Sequence, residues 1–206
     1  VEFRFYLRGR GGHGALPDRA RDPIVAGAQL VTALQPVPSR FTSPFEPVVV
    51  TVGAFQAGDA FNVIPESASL VGTVRTFSAE SERQVEAHLR DIAAGISSLS
   101  GVDIRLDWKR YAGPTVNAEE VAACVAQCAQ GSAGIREVLT DYRTMAGEDF
   151  GDILERVPGC FVLLGSAPAD GSPAEPHHSP RFEIDEAVLP IARDLHLAVV
   201  EALAEL

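Results

Sequence analysis

Basic residues are scarce in this sequence, and so are methionine, tryptophan and cysteine. Seventeen Lys and Arg face 28 Asp and Glu, a formal net charge of -11, and the only lysine is Lys109. Binding to a phosphate backbone draws on clustered cations that release counterions, so no nucleic-acid partner is expected. No apolar run approaches the roughly 20 residues that cross a bilayer, so no membrane partner is expected either. The three cysteines, Cys124, Cys128 and Cys160, form no framework. Cys124 and Cys128 stand one helical turn apart among Ala and Val, which suits small buried side chains better than a redox pair or metal clip. An odd count beside a start without the basic and apolar regions of a signal peptide points to the cytoplasm. The only methionine is Met145, and Val1 opens inside an alternating pattern, so a truncated or processed product is expected.

What is present reads as ordinary globular material, 46% hydrophobic and 22% charged over 206 residues. Val1, Phe3, Phe5 and Leu7 alternate with polar partners, the period of a half-buried strand. Asp22-Pro23 reads as a helix start, with Ile24, Ala28, Val31 and Leu34 as the apolar stripe and Pro36 and Pro38 as the stop. Val48–Val52 is a second strand and Ala68–Val74 a third. A second helix carries Val85, Leu89, Ile92, Ile96 and Leu99 and closes at Gly101. The fourth strand sets Val102, Ile104, Leu106 and Trp108 against Asp103, Arg105, Asp107 and Lys109. This β-α-β-β-α-β order predicts a ferredoxin-like domain over 1–113, with strands one and three central and strand two at an edge.

From 114 the pattern changes. Asn117 and Glu120 predict a capped helix. Gly147–Phe150 opens a short one, and Cys160–Gly165 suits a strand covered on both faces. A final helix from Asp185 buries Val188, Ile191, Leu195 and Val199. These pieces do not complete a sheet, so 114–206 is expected to be half of an α/β domain.

Three residues and one loop are candidates for chemistry. His13 lies in Gly11-Gly12-His13-Gly14-Ala15-Leu16-Pro17, where flanking glycines let a turn present the imidazole; a solvent-facing turn histidine is the plain alternative. The predicted topology brings Asn62 to the same end of the sheet, pairing two neutral groups suited to an oxyanion, although Asn62 also reads as a turn residue. Arg75 should lie at the far end, roughly 20 Å away at ~3.3 Å per strand residue, as a carboxylate binder or a surface ion-pair partner. The loop with His177 and His178 is the best metal candidate, yet neighbouring histidines diverge, and a metal needs three or four ligands that the chain does not offer.

Together these stretches resemble the M20 family of metal-dependent amidohydrolases and peptidases, in its N-acyl-amino-acid, hippurate and auxin-conjugate hydrolase branch. The carriers are Gly-Gly-His-Gly-Ala-Leu-Pro with Asp22-Pro23-Ile24-Val25, Val-Gly-Ala-Phe-Gln-Ala-Gly-Asp-Ala-Phe-Asn-Val-Ile-Pro, Gly-Thr-Val-Arg-Thr-Phe, Met-Ala-Gly-Glu-Asp-Phe and His-Ser-Pro-Arg-Phe, in family order. The resemblance implies a lid or dimerisation domain at 1–113 and the C-terminal part of a catalytic domain at 114–206. It implies that His13, beside Asn62, polarises the scissile carbonyl in a partner subunit, that Arg75 binds substrate carboxylate, and that His178 is a ligand of one of two metal ions. Zinc is expected, with manganese as the alternative, and the reaction implied is attack by a metal-bound water on an N-acyl amino acid with a Glu as base. The family's remaining ligands and base have no match here. A non-catalytic dimerisation or binding module is therefore the competing reading. Under both, the edge strand 48–52, which carries no charge, proline or bulge, should pair with a second copy as a homodimer.

Overall fold

The computed structural model describes residues 1–168, 171 and 174–204. They fall into two compact units, Val1–Pro114 with Met145–Asp149, and Thr115–Thr144 with Phe150–Leu206.

The first unit is built on β1 (Glu2–Arg8), α1 (Pro23–Leu34), β2 (Val48–Ala57), β3 (Ser67–Thr76), α2 (Ala79–Ser100) and β4 (Asp103–Lys109). The sheet order is β2-β3-β1-β4, antiparallel throughout. The expected ferredoxin-like arrangement is present, with β1 and β3 central and β2 at an edge. Alternation decides the faces. Phe3, Phe5, Leu7, Ala68, Leu70 and Val74 point under the helices and are buried, joined there by Leu30, Leu34, Val85, Leu89 and Ile96. Each large side chain so buried contributes about 1.5–3 kcal/mol. The open face sets unlike charges opposite each other, Glu2 to Lys109, Arg4 to Asp107 and Arg8 to Asp103. Arg105 lies over the Tyr6 ring at 5.4 Å, and the Tyr111 hydroxyl donates to Glu2 at 3.0 Å. That bond, with help from Arg4, holds the Glu2 carboxyl below its ordinary range.

Both helices show where period alone misplaces a face. Asp22 does cap α1, its carboxylate accepting from the Ile24 amide at 2.8 Å. The buried stripe, however, is Pro23, Ala26, Gly27, Leu30 and Leu34, while Ile24 and Ala28 face outward. Gly27 faces inward because Phe55 of β2 occupies the space a side chain would fill. In α2, Leu99 is exposed and Ala93 is buried in its stripe. Gly101 closes α2 in the left-handed conformation at φ 70°, a conformation that favours glycine.

The edge strand departs from expectation. It runs on to Ala57, and its register with β3 shifts between Val52 and Ala54. The expected run 48–52 is regular, but Gly53 is an extra residue that bulges the strand beyond it and turns Phe55 toward α1.

The second unit contains α3 (Glu119–Gly131), the short α4 (Gly151–Leu154) and α5 (Val188–Ala204). Asn117 does not cap α3; Ala118 holds that position without a side-chain bond. Asn117 instead clamps the Phe161 backbone, donating to its carbonyl at 3.0 Å and accepting from its amide at 2.8 Å. The capping pattern and this clamp use the same side-chain groups, and the longer-range pairing wins. Cys160–Gly165 is not a strand: no ladder forms on it, and Val162 and Leu163 are half exposed. An apolar run becomes a strand only when another lies beside it, and no described residue of this unit does so. Val188, Ile191, Leu195 and Val199 do face inward on α5, with Leu195 buried and the other three partly so. No helix among the described residues is long and apolar enough to cross a membrane.

Candidate functional site

Because β1 and β2 run in the same direction, the turn after β1 and the loop after β2 leave the sheet at one end. There they pair. Gly12–His13 forms a two-residue antiparallel ladder with Val63–Ile64, His13 opposite Val63. The Gly14 amide donates to the Asn62 carbonyl at 2.8 Å. The pairing predicted from topology is thus a hydrogen-bonded contact between the two segments. Gly14 explains why it is so close, since a Cβ there would stand 3.0 Å from the Asn62 carbonyl oxygen. A residue with a side chain would push the segments apart. Sequence reading missed this role for Gly14, although the run of glycines around His13 was its signal.

The His13 ring is exposed and held from one side. Its Nδ1 accepts from the Ala15 amide at 3.1 Å, and its own carbonyl accepts from the Leu16 amide at 2.8 Å. A ring nitrogen that accepts carries no proton, so the neutral imidazole keeps its proton on Nε2. The turn thereby presents Nε2–H as a donor. Asn62 is exposed beside it, and its side-chain amide can also donate. Two neutral donors at one solvent-facing tip are suited to stabilising a negative oxygen as charge develops on it.

Arg75 is elsewhere. It stands opposite Val49, near the far end of β3 from this tip. It is half-buried, and its guanidinium lies against Gly147, where a Cβ would come within 3.4 Å of Nη2. The segment Met145–Asp149 thus joins the first unit over Arg75, a contact no local pattern indicated.

His177 and His178 belong to the second unit. The His177 ring packs edge-on against Phe182 at 4.9 Å. His178 is exposed and has φ 70°, a left-handed conformation uncommon for a residue other than glycine. No group of three or more His, Cys, Asp or Glu side chains able to hold a metal is present among the described residues. Burial pushes the Cys160 thiol above its ordinary range, and burial with the neighbouring Cys124 does the same to Cys128, so neither is an activated nucleophile.

Comparisons with known proteins agree with this architecture. Residues 1–98 match the peptidase dimerisation domain model of the M20 family. The chain is 35% identical to N-acetylcysteine deacetylase of Bacillus subtilis (strain 168), over 92% of this chain and 48% of that protein. It is 33% identical to IAA-amino acid hydrolase ILR1-like 4 of Arabidopsis thaliana, over 96% of this chain and 46% of that protein. Among solved structures, a Bacillus subtilis protein described as a dinuclear metal binding peptidase from the M20 family superposes with a TM-score of 0.73. That match is 30% identical and covers 98% of this chain and 50% of the other. The chain spans about half the length of the curated relatives it matches. By fold and by these matches the chain belongs to the M20 family.

Proposed function

We propose that this chain belongs to a metal-dependent amidohydrolase that cleaves the amide bond of N-acyl amino acids. Residues 1–113 act as its lid and dimerisation domain, and 114–206 as the C-terminal part of its catalytic domain. The names of the relatives, a deacetylase of N-acetylcysteine and a hydrolase of an amino-acid conjugate, support that substrate class. The observation that carries the reading is the His13–Asn62 tip, with Nε2–H of His13 free to donate because Ala15 occupies Nδ1. These two residues hold the scissile carbonyl oxygen as it becomes an oxyanion, in the active site of a partner subunit. Arg75 binds the substrate carboxylate, and His178 is a ligand of a divalent metal, zinc with manganese as the alternative. The described residues do not by themselves fit a complete metal centre, since no group of three or more ligand side chains is present among them. The free cysteines support a cytoplasmic setting.

Loss of one oxyanion donor typically lowers kcat by about 10²–10³. His13→Ala in the full-length protein should show a fall of that order on N-acetyl amino acids, with unfolding unchanged. A fall below threefold would remove His13 from the reaction. A full-length protein that binds no metal and turns over nothing would support the dimerising module instead. The homodimer forms by antiparallel pairing of the edge strand at 48–52. Thr51→Lys places a like charge in each copy at that edge and should yield monomers in sedimentation at micromolar concentration.

A further inference from the structure

Cys124 and Cys128 are not the small buried side chains that the sequence pattern suggests. Both are free thiols and only half-buried on α3, where Val125 and Ala129 take the inward positions. The two sulfurs interact: burial first, and then the Cys124 thiol beside it, push the Cys128 thiol up. Cys128 also donates to the Ala198 carbonyl at 3.8 Å, which ties its sulfur to α5. Helical spacing decides what such a pair can close on. Residues four apart on a helix hold their Cβ atoms about 5–6 Å apart. A disulfide needs about 3.5–4.5 Å between them, so a direct S–S bond would have to distort the helix. A single atom bound to both sulfurs at about 2.3 Å each, in line, holds them about 4.6 Å apart. The two Cβ–S bonds can then stand side by side on an undistorted helix.

We propose that Cys124 and Cys128 form a two-coordinate thiolate site on α3 that takes a soft monovalent cation of the copper(I) class. Zinc calls for four ligands, and among the described residues no third His, Cys, Asp or Glu joins the pair. Copper(I) is selected by soft sulfur ligands and is satisfied by two thiolates in line. Each thiol gives up its proton, and one sulfur–copper bond forms on each sulfur. Two protons pass to solvent, and no oxidation state changes. The ion displaces those protons, so thiols that are poor nucleophiles when free can still serve as ligands.

The test titrates the full-length protein with copper(I) under argon, against a chromophoric copper(I) chelator, beside Cys124→Ser, Cys128→Ser and Cys160→Ser. Either of the first two should weaken binding about 10²–10⁴-fold, the advantage of two linked ligands over one. Cys160→Ser should leave it unchanged. A second measurement needs no variant: in wild-type protein copper(I) should shield Cys124 and Cys128 from alkylation, mapped by mass spectrometry. Equal affinity in wild type and both single variants overturns the proposal. So does alkylation of the two thiols at the same rate with and without copper(I). A disulfide between Cys124 and Cys128 that forms in air with the circular dichroism unchanged also overturns it, since helical spacing would not then hold the sulfurs apart. None of these readouts uses hydrolysis of an N-acyl amino acid, so the proposal and the amidohydrolase reading fail separately.

Discussion

Gly72 and Gly27 accept the same substitution at very different cost. Gly72 lies in the middle of β3, where an added Cβ would stand 2.2 Å from Cζ of Phe3 and 2.3 Å from the Thr51 carbonyl oxygen. Phe3 is fully buried, and Thr51 belongs to the backbone of the neighbouring strand, so neither neighbour can retreat. Alanine would recover about 0.5–1 kcal/mol of backbone entropy. Against this, overpacking costs about 1–3 kcal/mol, and a ladder group left unpaired costs about 1–3 kcal/mol more. The expected net loss for Gly72→Ala is about 2–4 kcal/mol, a large share of the roughly 5–15 kcal/mol that stabilises a domain. At Gly27 the Cβ would meet Cζ of Phe55 at 2.5 Å, but that ring is 39% exposed on the edge strand and can swing outward. Helix propensity returns about 0.8–1.0 kcal/mol there, so Gly27→Ala should fall within about 1 kcal/mol of wild type. Urea unfolding followed by Trp108, the only tryptophan, reports the first unit, because Trp108 packs against its core. If Gly72→Ala is not destabilised beyond Gly27→Ala by at least about 1 kcal/mol, the sheet yields at its centre as easily as at its rim. The steric argument would then be wrong.

Gly14→Ala should act on the site and spare the fold. Its Cβ would press on the Asn62 carbonyl, so kcat/KM of the full-length protein should fall at least about tenfold while the Trp108 transition stays in place. Cys160 should be slow toward thiol reagents at pH 8, with a rate still climbing above pH 9, because burial favours its neutral form. The folded state then holds that proton longer than the unfolded chain does. Stability from this group is full below the ordinary thiol range and is lost as pH rises through the raised value. A plateau in reactivity below pH 9 would show that the thiol is solvated.

Much of the first unit could be read from residues alone, since alternation in β1, β3 and β4 and the caps at Asp22 and Gly101 are local signals. The topology then followed from the element order, and it placed Asn62 beside His13 and Arg75 at the other end. Finer faces did not follow. In α1 the stripe shifts to Ala26 and Gly27 because Phe55, brought in by the bulge at Gly53, takes the room beside them. In the second unit local patterns served less well. The cap expected of Asn117 went to a longer-range bond with Phe161, and an apolar run with no strand beside it stayed without a ladder.

By itself the sequence determined the β-α-β-β-α-β order, the buried faces of β1, β3 and β4 and the identity of the candidate groups, because each depends on neighbours within a few residues. Only the tertiary structure decided how those groups present themselves. The Ala15 amide sets the proton of His13 on Nε2, the missing side chain of Gly14 admits Asn62 at hydrogen-bonding distance, and Gly147 covers the guanidinium of Arg75. The approach of Gly14 to Asn62 and of Gly147 to Arg75 depends on distances of a few tenths of an ångström between segments far apart in the chain, and such distances exist only once the sheet has formed.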